Sequence, residues 1–112
     1  MQIFTGAQGE LQFGWALVFL LAYPIAEEIV YRALLLRALE GYMSQILALV
    51  LQAAVFELIH AYVYGYGLTG AWFVIGYMLG YAFQCTRSLA VPTLLHTGHN
   101  LLYFAAVWYF NQ

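Results

Sequence analysis

The chain has 112 residues, 65% of them hydrophobic and only 7% charged, with a net charge of -2, where a soluble domain of this size carries about 25% charged residues. A mean hydropathy of +0.81 points to an integral membrane protein, and three arginines with no lysine at all leave no basic patch for nucleic acid. The single cysteine, Cys85, excludes an internal disulfide and a cysteine-based metal cage.

The opening stretch, MQIFTGAQGELQFGW, has neither the basic region nor the small-residue cleavage site of a signal peptide, so the first apolar segment is expected to stay in the mature protein. That segment covers residues 11–39. Its uncharged first part leads into Glu27, Glu28, Arg32, Arg37 and Glu40. Pro24 removes a backbone donor just before the two glutamates and is expected to kink the helix.

The second segment, 42–64, is closed by YGYGLTG, whose glycines suit helix termination and a tight return. The third, 68–85, carries no charge and contains GYMLG, a GxxxG pair of Gly76 and Gly80 that permits close helix packing. The fourth, 88–110, tolerates Pro92 in its first turns. With roughly 20 residues needed per span, the expected fold is all-α: a polytopic membrane bundle of about four transmembrane helices in one membrane domain, residues 1–112.

Alternating spans put Arg32, Arg37 and Arg87 on one side, which the positive-inside rule makes cytoplasmic, with both termini outside. Tyr62, Tyr64, Tyr66, Trp108, Tyr109 and Phe110, with Trp15 and Trp72, then form an aromatic belt at the opposite face.

Ionisable side chains inside a bilayer cost about 2.5 to 3.5 kcal/mol each even on lenient scales, so each marks a functional candidate. Glu28 and Arg32 are one helical turn apart in the favourable order and can pair; the plain reading of Arg32 is the structural partner of a buried carboxylate. Glu27 points about 100° away from Glu28 and is free to face another neighbour. His60 shares a face with Phe56, and in HTGHN His96 and Asn100 share a face with His99 at its edge. One histidine on an apolar helix is usually a satisfied core residue. Three of them with an asparagine, in the helices that complete a carboxylate-bearing bundle, point to a shared polar site, with Glu57 and His99 as possible accessory groups.

A carboxylate taken out of water into a bundle core gains proton affinity and can act as a general base, with a histidine sharing the water it activates. A second histidine and an asparagine supply donors toward a developing oxyanion. That combination fits hydrolysis of a peptide or ester without a covalent intermediate.

These residues resemble a known family. EEIVYR is similar to the EExxxR motif, FELIH to FxxxH and HTGHN to HxxxN of the CAAX-processing and bacteriocin-processing (CPBP, or Abi) intramembrane proteases, to which the prenyl-protein CAAX endopeptidase belongs; Ala33 stands where the first motif usually has glycine. The resemblance implies that Glu27 is the general base, His60 its partner on the water, and His96 with Asn100 the oxyanion stabilisers, with Glu28 and Arg32 in support. It implies a membrane-associated peptide or protein substrate but does not establish a metal; no cofactor is expected, although two histidines and a glutamate can also hold zinc with an open water position.

Two other readings are open at this level. One is a non-catalytic membrane subunit that serves as an assembly partner for other membrane chains. The other is a metal or haem bundle, because Glu57 and His60 form the ExxH spacing of carboxylate di-iron proteins, which use two such pairs where this chain has one. One geometric expectation bears on the protease reading. Upright helices aligned at their midpoints place Glu27, His96 and Asn100 within roughly 5 Å of mid-depth but His60 about 9 Å away, so the site needs tilt or an offset second helix.

Overall fold

The computed structural model describes the backbone of residues 6–65 and 67–111 and side chains from residue 12 onward. Every regular element among the described residues is helical: α1 (Gly6–Glu28), a π-helical stretch π1 (Ile29–Leu36), α2 (Arg37–Glu40), α3 (Gln45–Tyr64), α4 (Ala71–Thr86) and α5 (Ala90–Phe110). α1, π1 and α2 run on without a break, so the expected first segment is one long rod that contains Pro24. The departure from α-helical geometry follows the two glutamates. In π1 the backbone bonds widen, and the Arg37 N–H reaches back to the Arg32 carbonyl.

The joints are chemically specified. Ser44 caps α3 by accepting from the Leu47 N–H at 3.2 Å, so residues 42–44, expected in the second helix, form the turn before it. Gly65, at φ +72°, closes α3 in the left-handed conformation that glycine adopts without a Cβ penalty. α4 begins after Gly70, also at positive φ, which leaves residues 68–70 outside the third helix. α4 ends at Arg87, a non-glycine at φ +51°, whose side chain reaches Glu40 through two hydrogen bonds of 3.0 and 2.7 Å.

α3 and α4 pack closely because α4 presents Gly76 and Gly80 to α3. A Cβ on Gly76 would lie 2.9 Å from the Phe56 ring, and one on Gly80 would lie 2.6 Å from Gln52. At the arginine end, Leu36, Ala48 and Phe83 form a buried cluster against Leu39, Met43 and Leu89.

Among the described residues two helices are long and apolar enough to cross a membrane: Gln12–Glu40, of which only 11% of the most apolar window is buried, and Gln45–Tyr64. That low burial separates the first from the core helix of a soluble protein. α4 has 16 residues, about 24 Å of helix against the roughly 30 Å of a bilayer core. α5 has 21 residues but carries His96, His99 and Asn100. The sequence expectation of four comparable spans therefore meets two helices of spanning length and composition and two that depart from it.

Tyr62, Trp108, Tyr109 and Phe110 are exposed, as a belt requires; Tyr66 lies outside the described residues. Trp72 does not belong with them, since it packs inward against a histidine. Arg32 also leaves the expected set of boundary charges: it is fully buried, so only Arg37 and Arg87 mark that end of the bundle.

Candidate active site

The two adjacent glutamates separate into two environments. Glu28 is fully buried, and its Oε2 accepts from Arg32 Nη1 at 2.6 Å; the same guanidinium donates from Nη2 to the Gly76 carbonyl at 3.0 Å and lies 5.0 Å from the centre of the Phe56 ring. Gln52 Nε2 donates to that carbonyl at 2.8 Å and to the Leu49 carbonyl at 3.2 Å. Arg32 thus ties the first helix to α4 at Gly76, one of the two glycines at which α4 packs against α3.

Glu27, whose side chain is 11% exposed, faces the other way. Its Oε2 lies 3.2 Å from His60 Nε2 and its Oε1 lies 3.7 Å from His96 Nε2. His96 Nδ1 is buried, has no hydrogen-bond partner, and lies 3.8 Å from Glu28 Oε2. His96 therefore stands between the two carboxylates.

The His60 ring is held from three sides. Its Nδ1 lies 2.7 Å from the Phe56 carbonyl, which can only accept, so Nδ1 carries a proton and Nε2 is the nitrogen presented to Glu27. The Phe56 ring packs 4.1 Å away, and Trp72 stacks on it with centroids 4.5 Å apart. With Nδ1–H committed, Glu27 and His60 can share one proton: an imidazolium donates to a carboxylate, or a carboxylic acid donates to a neutral ring.

This pair lies where two clefts meet. One, about 250 Å³, opens between the first helix and α3 and includes Tyr31 and Ile59. The other, about 290 Å³, lies among α1, α3, α4 and α5 and includes His96, Asn100 and Tyr103. Tyr23, Glu27, His60 and Tyr64 line both. The vertical offset expected for His60 does not separate it from Glu27, whose carboxylate lies 3.2 Å from the ring.

The remaining sequence candidates fall elsewhere. Glu57 accepts from the Gly70 N–H and the Phe73 N–H, both at 2.8 Å, and so caps the start of α4. Gly70 has no side chain to do this, and Glu57 supplies the cap from the neighbouring helix. Its carboxylate is thereby committed, and the ExxH reading of Glu57 with His60 loses its first ligand. His99 is exposed and lies outside both clefts, so the fold does not bring it to the Glu27–His60 pair. Among the described residues no group of three or more His, Cys, Asp or Glu side chains is arranged to hold a metal ion.

Sequence reasoning did not find Trp72, Gln52 or the capping role of Glu57. A trace of the last was present, since an acid in an apolar helix needs a partner and the return before α4 lacks a capping side chain.

A family model described as type II CAAX prenyl endopeptidase Rce1-like matches residues 9–102. That range takes in Glu27, Glu28, Arg32, His60, His96 and Asn100. No curated protein and no solved structure matches the chain.

Proposed function

We propose that this chain, which belongs to the Rce1-like family of type II CAAX prenyl endopeptidases, is a glutamate-type intramembrane endopeptidase that uses Glu27 as its general base. The observation that carries this reading is the Glu27 carboxylate, set among apolar side chains with one oxygen 3.2 Å from His60 and the other 3.7 Å from His96. The first helix and α3 span the bilayer; α4 and α5 complete a four-helix membrane core, with the Arg37 and Arg87 end toward the cytoplasm.

In the proposed reaction a water bound to Glu27 attacks the scissile carbonyl carbon while the carboxylate takes its proton. The resulting tetrahedral oxyanion accepts hydrogen bonds from the Asn100 amide and the His96 imidazole, which line the same cleft. Collapse breaks the C–N bond, and the proton held by Glu27 passes to the leaving amine. His60, fixed through Nδ1, keeps Nε2 on Glu27 and shares the proton during the cycle. The family description points to a prenylated C-terminal peptide, whose lipid would lie against the apolar side chains of the clefts.

The test is cleavage of a prenylated CAAX peptide by purified protein in lipid, wild type against Glu27→Gln, with metal content measured on the same sample. Loss of cleavage in a folded Glu27→Gln protein supports the assignment. Equal cleavage would refute it, and absence of cleavage by both, with the chain held in a complex with other membrane chains, would favour the assembly-subunit reading.

A further inference from the structure

A separate cavity, about 570 Å³, lies at the other end of the bundle and is lined by Ala33, Arg37, Phe83, Arg87 and Leu89. Of the three arginines in the chain, the two not buried in the interior meet here. From this cavity we infer a binding site for the phosphodiester headgroup of an anionic phospholipid, with Arg37 and Arg87 as its cationic side.

The charges facing the cavity favour an anion. Arg87 spends two N–H groups on Glu40, which leaves three of the five donors of its guanidinium free. Arg37 is exposed, and its side chain has no hydrogen bond, ion pair or ring contact with a described residue. Two positive charges against the single carboxylate of Glu40 leave a net positive site. The bridge to Glu40 also fixes Arg87 on a left-handed backbone position, φ +51°, so one donor group is placed before any ligand arrives.

Leu89, a lining residue, is the N-cap of α5 and provides no side-chain cap, and Pro92 contributes no N–H to the first turn. The uncapped start of a 21-residue helix adds a positive field at the same place. The remaining walls, Ala33, Phe83 and Leu89, are apolar. Paired arginines beside an apolar wall, at the end of helices that cross a bilayer, match a headgroup phosphate with acyl chains attached better than a free anion.

The experiment is native mass spectrometry of the protein released from nanodiscs of equal phosphatidylcholine and phosphatidylglycerol. Wild type is expected to retain phosphatidylglycerol in preference to phosphatidylcholine. Arg37→Gln, at an exposed position with no partner to lose, is expected to reduce that retention about fivefold, the equivalent of about 1 kcal/mol per basic residue near a bilayer, and Arg37→Lys to recover most of it. Cleavage by detergent-solubilised Arg37→Gln should match wild type, which keeps this test independent of the Glu27 site. Equal retention of the two lipids, or unchanged retention in Arg37→Gln, would overturn the proposal. Binding of inorganic phosphate alone, dependent on Arg37 and displacing the lipid, would overturn the choice of a lipid over a free anion.

Discussion

Removing Arg32 alone should destabilise the bundle far more than removing it together with Glu28. Both side chains are fully buried and joined at 2.6 Å, so Arg32→Met leaves Glu28 as an uncompensated charge at a cost of about 3 to 5 kcal/mol. Glu28→Met alone leaves the guanidinium with only the Gly76 carbonyl and a ring face, a loss of the same order. The double variant removes both charges together with Glu28 Oε1 and Arg32 Nε, two buried atoms that have no hydrogen-bond partner. The Gly76 carbonyl stays satisfied by Gln52 at 2.8 Å. The double variant should therefore lie within about 1.5 kcal/mol of wild type, with a coupling of about 3 kcal/mol or more between the two sites. Reversible unfolding in mixed micelles, followed by tryptophan fluorescence for all four members of the cycle, measures this directly. Single losses that simply add in the double variant would show that Arg32 does not neutralise Glu28.

Glu27→Gln should lower the cleavage rate by about 10²- to 10⁴-fold, the usual contribution of a positioned general base, with an unchanged unfolding midpoint; a midpoint loss large enough to explain the rate would count against it. Gly76→Ala should be worse than Gly80→Ala in both stability and cleavage. A Cβ at Gly76 meets the Phe56 Cβ at 3.1 Å, a position fixed near the backbone, and Phe56 backs the His60 ring; at Gly80 the nearest atoms are the ends of Gln52 and Leu49. The expected cost at Gly76 is about 1 to 3 kcal/mol, read by the same unfolding assay. Glu57→Gln should lower the unfolding midpoint yet leave kcat unchanged at temperatures where the variant is folded, because an amide cannot accept from both Gly70 and Phe73 as the carboxylate does. A fall in kcat on its own would restore Glu57 to the site. Cleavage should persist in the presence of a strong zinc chelator, and stoichiometric loss of both metal and activity would refute the metal-free reaction.

The sequence was most informative where chemistry forces a choice. Ionisable groups in an apolar chain need partners, and the pairing of Glu28 with Arg32 and the closing role of Gly65 follow from spacing and from backbone freedom alone. Depth arithmetic set His60 apart only for upright helices aligned at their midpoints, and its contact with Glu27 at 3.2 Å shows that this alignment does not hold. Trp72 was placed at the membrane boundary on composition. Its actual role depends on α3 and α4 lying close enough to stack it on His60, which is a tertiary fact made possible by Gly76 and Gly80 further along the same face of α4.

The π-helical stretch gathers three buried side chains onto one face of the helix just after the glutamates. In an α-helix each residue advances about 100°, so Tyr31 and Leu36, five apart, would point roughly 140° away from each other. With bonds to the fifth preceding residue the advance falls to roughly 80°, and positions four and five apart come to flank one direction. Tyr31, Arg32 and Leu36 are indeed the buried residues of π1. The inward face is thereby widened: Tyr31 meets Phe56 edge-on at 4.9 Å while Arg32 beside it reaches Glu28 and α4. In a regular helix Leu36 would turn about 140° from Tyr31 instead of lying between Tyr31 and Arg32. Without Arg32, Glu28 would stand unpaired 3.8 Å from His96, and that second charge would compete with Glu27 for the histidine. The pairing one helical turn apart keeps Glu28 committed to arginine and leaves Glu27 as the carboxylate that faces His60 and the cleft.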